Sequence, residues 1–266
     1  MRWLVATLLM AGLLAGCAQP LPREAVDGPT IVSLNPCSDA ILAEVTAPGQ
    51  LLAISHYSHD PRATSMPLEQ ARLYSSTGGT VEEVLALDPD IVVASSFLPP
   101  ATAAAFARLG IRVETLGIAT SVADSQHQVR QLAALAGHED KGEDLAGRIA
   151  AAWNSAAFSG PPIDTLLWQD GGIVPGPDSL IAQMLEHSGF ALHSAARGLG
   201  QGAYLPLERV LADPPELVLA SSDERLLSHP ALGRVPGLRH EQFDPALLYC
   251  GGPSIIAALE RLAEVR

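Results

Sequence analysis

The stretch Ser55-His56-Tyr57-Ser58-His59-Asp60 sets two imidazoles and a carboxylate around one phenol. Imidazole is a ligand for cobalt and iron. A site for a bare ion wants three or four protein ligands, and the chain has no His-rich loop. His56 and His59 therefore read first as plain loop histidines, and second as ligands to a cobalt or iron centre. Asp39 and Asp60 could act as a carboxylate pair, yet loop carboxylates are ordinarily solvated. There is no Gly-x-Ser-x-Gly elbow, no His-Glu-x-x-His and no Gly-x-x-x-x-Gly-Lys loop, so no nucleophile, base and orienter assemble. The chemistry on offer is binding rather than turnover.

Three cysteines remain, Cys17, Cys37 and Cys250. Before Cys17 stand one arginine and then WLVATLLMAGLLAG, an apolar run too short to span a bilayer, which takes about 20 residues. A charged tip, a short apolar middle and small residues at the end are the anatomy of a secretory signal. Leu14-Ala15-Gly16-Cys17 resembles the bacterial lipobox, in which the thiol takes a diacylglycerol and becomes the first mature residue. Residues 1–16 are thus expected to be a signal peptide, Cys17 a lipid anchor, and 17–29, rich in proline, its tether. The chain carries 16 Lys and Arg against 29 Asp and Glu, a net charge of −13, and loss of the signal removes Arg2 as well. That balance argues against nucleic acid, which needs a basic face, and for a cationic partner surface. Outside the cytoplasm the two remaining thiols, Cys37 and Cys250, are expected to pair; the rival reading is two free thiols facing a ligand.

The elements that must position these groups alternate. Apolar runs at 31–34, 51–54, 90–94 and 112–116 read as strands. Helical patterns lie at about 38–46, at 80–87 (Thr80 as N-cap, Glu83 completing a capping box) and at 101–110. Residues 55–65 read as loop, and 121–158 as helical almost throughout, with Gly137 and Gly142 as breaks. A second set of strands and helices begins at about 161. Such alternation implies parallel strands joined by helices. One repeat organises the whole. VEEVLALDPDIVVASS at 81–96 and LERVLADPPELVLASS at 207–222 align without a gap at nine identities in sixteen positions. So long an offset, used twice, predicts two similar α/β lobes rather than a solenoid.

With these stretches in order, IVSLNPCSDAILAEV, ISHYSHDP, STGGTVEEVLALDPDIVVAS, LERVLADPPELVLAS and PSIIAALERLAEV, the chain resembles the extracytoplasmic solute-binding proteins of ABC importers. The resemblance is to the class that carries cobalamin, ferric siderophores and heme. It implies an N-terminal lobe at 30–120 and a connecting helical segment at 121–160, one long helix in the family. A C-terminal lobe follows at 161–266, with the ligand in the cleft between lobes. The family binds as monomers, without a cofactor of its own or a bare metal, in the periplasm. An extracytoplasmic enzyme or a sensor lipoprotein on the same fold is the alternative.

The resemblance also implies which loops line the cleft: 35–38, 55–60 and 95–97 from the first lobe, and 168–177, 197–204 and 248–252 from the second. Candidate ligand contacts are Asn35, His56, Tyr57, His59, Phe97, Trp168, Arg197, Tyr204 and Tyr249. Tyr57 lies where the cobalamin binders have a contacting tyrosine, and its ring could cover a planar macrocycle. Trp168, before the turn-forming Asp-Gly-Gly, offers either a second flat face or a core aromatic. Ser-Thr-Gly-Gly stands where the cobalamin binders carry a tryptophan, which leaves room for a ferric chelate. Cys37 and Cys250 fall on opposite lobes. Glu82 and Glu208 match the glutamates that meet permease arginines, although a first-turn glutamate also suits the helix dipole.

Overall fold

The protein was studied as a computed structural model, in which residues 26–221 and 229–266 are described. The lipobox cysteine Cys17 and most of its tether lie outside them. The first lobe runs β1 (Ile31–Ser33), α1 (Pro36–Val45), β2 (Leu51–Ser55), α2 (Leu68–Ala71), β3 (Ser76–Thr77), α3 (Val81–Leu87), β4 (Ile91–Ser95), α4 (Pro100–Arg108) and β5 (Arg112–Leu116). Helices α5 (Val122–Ala136) and α6 (Glu139–Ala156) follow. The second lobe is β6 (Ile163–Trp168), β7 (Ile173–Val174), α7 (Leu180–His187), β8 (Phe190–Leu192), α8 (His193–Ala196), β9 (Ala203–Tyr204), α9 (Leu207–Ala212), β10 (Leu217–Ala220), β11 (Arg239–Gln242) and α10 (Ser254–Val265).

The two main sheets are parallel and share one strand order. The first is β3-β2-β1-β4-β5 and the second β11-β10-β6-β8. In each, the lobe's first strand is central, and the strand of the repeated segment lies beside it. Thus β4 pairs with β1, and β10 pairs with β6. The sequence repeat is therefore a topological repeat.

Strand residues alternate between two cores, as period-two geometry requires. Ile31, Ile91, Val93, Leu167, Leu217 and Leu219 enter one cluster that also takes in α1, α5, α6, α7 and α10. Val32 and Val92 turn instead to Val84 of α3 and Phe106 of α4. Leu166, Trp168 and Val218 turn to Val210 of α9. The lobes thus share a common apolar core, while α3 and α9 cover equivalent outer faces.

The connecting helical segment expected over 121–160 is two helices, divided at Gly137, one of the two expected breaks. Gly137 adopts φ +81°, left-handed backbone that favours glycine, and its N–H caps α5 by bonding to Ala133 O. The chain then doubles back: Arg130 meets Glu143, and Gln126 bonds to Ala146 O. Gly142, expected to break the segment, lies inside α6. A Cβ there would stand 2.4 Å from that of Ala133, so glycine allows the close helix approach. The loop expected at 55–65 contains a 3-10 turn, His56–His59, closed by Tyr57 N–H donating to the Ser55 hydroxyl and Asp60 N–H donating to the Tyr57 carbonyl. The expected capping box of α3 is formed, Thr80 accepting from Glu83 N at 3.2 Å. No helix among the described residues is long and apolar enough to cross a membrane.

Candidate functional site

The carboxyl ends of both sheets carry loops rich in polar residues and exposed rings. On the first lobe the His56–His59 turn projects Tyr57, which is 54% exposed. The turn rests on Asp39, a fully buried carboxylate of α1. Its Oδ2 accepts from Ser55 N at 3.0 Å and from Ser58 Oγ at 2.7 Å, and its Oδ1 has no hydrogen-bond partner. Burial pushes the Asp39 pKa up to about 7, against the lowering pull of the Ser33 and Ser58 hydroxyls and the Ser55 amide. Asp39 is therefore neither the solvated carboxylate nor the partner of Asp60 that its sequence context allows. Asp60 is left to Arg62, whose N–H bonds to it, so that its pKa is lowered.

The two histidines separate. His59 Nε2 donates to Ala71 O at 3.1 Å, since a carbonyl can only accept; this holds the turn to α2. His56 is exposed, tilts against the Tyr57 ring at 4.1 Å and uses Nδ1 on Thr77 O at 3.3 Å, leaving Nε2 as its acceptor. His56 and Tyr57 line a cavity of about 330 Å³ with Leu34, Gly78, Gly79 and Leu98; His59 does not. Among the described residues, no three His, Cys, Asp or Glu side chains gather as a metal-ligand group.

On the second lobe a cavity of about 590 Å³ lies between 118–120, Gln169, 175–181, 200–201 and Tyr249. The Tyr249 hydroxyl bonds to Gln169 Oε1 at 3.2 Å. Partial burial first, and the Asp170 carboxylate second, hold this phenol above its usual pKa. Cys250, next to Tyr249, is joined to Cys37, three residues after Leu34, with Cα atoms 5.0 Å apart. The expected disulfide thus ties the wall of one cavity to the wall of the other. Gly252 follows at φ +77°, donating its N–H to Ser125 Oγ of α5 at 2.6 Å. A Cβ there would stand 2.6 Å from Ile41 Cγ1. Only glycine lets this last loop seat against the first lobe.

Several expected contacts fall elsewhere. Trp168 is 1% exposed, with Nε1 bonded to Leu205 O at 3.2 Å; its alternating position on β6 sends it under α9 rather than into the cleft. Arg197 pairs with Asp213 at 2.7 Å and bonds to His193 O. Asp213 precedes β10, and Arg197 lines neither cavity. Asn35 is the N-cap of α1, accepting from Cys37 N at 3.0 Å. Phe97 and Tyr204 are exposed at 74% and 63%, at strand carboxyl ends but outside both cavities. Tyr204 lies over Gly172, where the φ of +79° follows that of Gly171 at +71°; the Asp-Gly-Gly turn needs both glycines. Sequence reading missed Ile118–Thr120 and did not single out Gln169 or Gln201. The hint for the first was the Ser121 N-cap just past the end of β5. Glu82 and Glu208 are exposed, each the second residue of its helix, α3 and α9.

Residues 31–243 match the sequence family described as "Periplasmic binding protein". No curated protein matches the chain significantly. Among solved structures, the periplasmic heme-binding protein of Roseiflexus sp. RS-1 in apo form is similar at a TM-score of 0.73 and 20% identity, over 89% of this chain and 98% of that one. The periplasmic heme-binding protein of Vibrio cholerae gives 0.72 and 17%, over 89% and 98%. The periplasmic vitamin B12-binding protein of Vibrio cholerae gives 0.68 and 18%, over 90% and 97%. At such identities these likenesses speak for the fold. The matching family and the three structures are binding proteins rather than enzymes.

Proposed function

The chain belongs to the periplasmic binding protein family, and from that premise we propose that it captures a metal chelate and delivers it to the permease of an ABC importer. The chelate is cobalamin or a ferric siderophore, with heme behind them. The observation that carries this reading is the disulfide-tied pair of cavities at the carboxyl ends of two similar sheets, with Tyr57 on one side and Tyr249 on the other. Ligands of open α/β sheets bind outside strand carboxyl ends. Aromatic faces with a few polar groups suit a flat or globular chelate. In this reading His56 is a ligand contact beside Tyr57, and the protein holds no cofactor of its own.

The lobes are taken as 30–120 and 161–266, the protein acts as a monomer, and Cys17 anchors it to a membrane through its lipid. Glu82 and Glu208, at matched positions on α3 and α9, are the docking charges for a two-fold permease. The test is native mass spectrometry of protein taken from its own host, with uptake measured in the same cells. One cobalt or iron chelate per chain, and loss of its uptake on deletion, is the expected result. A chain that carries no chelate and takes up none of the three classes ends the proposal.

A further inference from the structure

The two cavities have a shared electrostatic character. Among the described residues, no lysine or arginine lines either one, and the only formal charge in their walls at neutral pH is Asp178, exposed just before α7. Of the arginines in the loops expected to line the cleft or beside them, Arg197 is paired with Asp213 and Arg62 lies against Asp60.

The polar groups that remain are neutral, and several are donors. Gly176 N–H bonds to Gln201 Oε1 at 2.8 Å, which fixes the amide oxygen inward and leaves its NH2 as a donor at the cavity wall. Gln169 uses its Oε1 on the Tyr249 hydroxyl in the same way. Burying a carboxylate or a catecholate here would leave its charge unpaired beside Asp178, which is costly. Carbonyl oxygens of a ligand's rim meet the two amides without that cost.

Resting on the chelate-binding reading above, we infer that the ligand is a metal chelate of zero or positive net charge, held through carbonyl groups at its edge. Amide-rimmed corrinoids and hydroxamate ferric chelates share this chemistry. Carboxylate-bearing porphyrins and ferric tricatecholates lack it.

The test titrates the disulfide-intact protein, at low ionic strength, with cyanocobalamin, ferrioxamine B, hemin and ferric enterobactin. At least one of the first two is expected to bind at least about 100-fold more tightly than either anion, and which one it is separates the two sources. An anion that binds as tightly as the better of the first two overturns this inference alone. Binding of none of the four overturns the chelate-binding reading and this inference with it. Asp178→Asn supplies a second readout. The hemin-to-ferrioxamine affinity ratio is expected to rise at least about threefold on losing the carboxylate; an unchanged or falling ratio overturns the assignment of charge selection to this cleft.

Discussion

At the scale of single residues, the chemistry of the candidate site rests on a carboxylate that never touches solvent. Asp39 holds the turn that presents Tyr57, and burial raises its pKa from 3.8 to about 7. A raised acid pKa means that the folded state holds a proton which the unfolded chain has already released. Stability from this group is therefore greatest below pH 4, falls between about pH 4 and 7, and is level above. The size of the fall is a few kcal/mol, at about 1.4 kcal/mol per unit. Asp39→Asn should flatten that part of the profile. Denaturant midpoints of both proteins between pH 4 and 8 check it; parallel curves would mean that Asp39 is ionised throughout. Two aromatic residues that look alike in sequence should behave oppositely. Trp168→Ala is expected to cost roughly 3–5 kcal/mol of stability, as for a large core truncation. Tyr57→Ala should leave the melting temperature almost unmoved and weaken chelate binding about tenfold, on the order of 1.4 kcal/mol. A calorimetric melt and a titration of each variant decide the matter.

At the scale of elements, α3 and α9 are the same device built with different caps. Helix α3 begins with a capping box in which the Glu83 side chain also accepts from Thr77, the main cause of its lowered pKa. Helix α9 begins on Pro206, with no side-chain cap. Both nevertheless place a glutamate second, exposed, over the outer face of a sheet. The helix dipole alone favours such a residue by roughly 0.3–1 kcal/mol, which explains each glutamate singly but not the matched register. If they dock a permease, Glu82→Ala and Glu208→Ala should leave chelate affinity untouched and reduce uptake, with the double change worse than either. Normal transport by a folded, loaded double variant would return both glutamates to helix stabilisation.

At the scale of the whole molecule, two features oppose wide opening of the cleft. A shared apolar core runs from α1 through α5 and α6 to α10, and a disulfide joins residues 213 apart in sequence across the lobes. In the chain-entropy account, closing so long a loop stabilises the fold by roughly 5 kcal/mol. The double change Cys37→Ser and Cys250→Ser should therefore lower the unfolding free energy by several kcal/mol. It should also raise hydrogen exchange at Gly251 and Gly252, whose seat depends on the bridge. Two titratable thiols in the denatured, unreduced parent protein would remove the premise.

The sequence by itself determined the alternating α/β order, the capping box at Thr80 and the two-lobe repeat. These follow from local rules: periodicity, capping chemistry, and a copied segment that must fold the same way twice. Tertiary structure alone decided the rest. Whether Trp168 faced the ligand or the core depended on which face of β6 it fell on, and packing under α9 set that. Arg197 looked like a cleft cation until Asp213, sixteen residues on, claimed it. Asp39 read as a loop acid because nothing local announces that the 55–58 turn will fold over it. The helical segment after the first lobe turns back on itself because Gly137 takes a left-handed turn and Gly142 lets α6 pack back on α5. Distances between residues far apart in the chain are not written in local pattern, and a binding site consists of such distances.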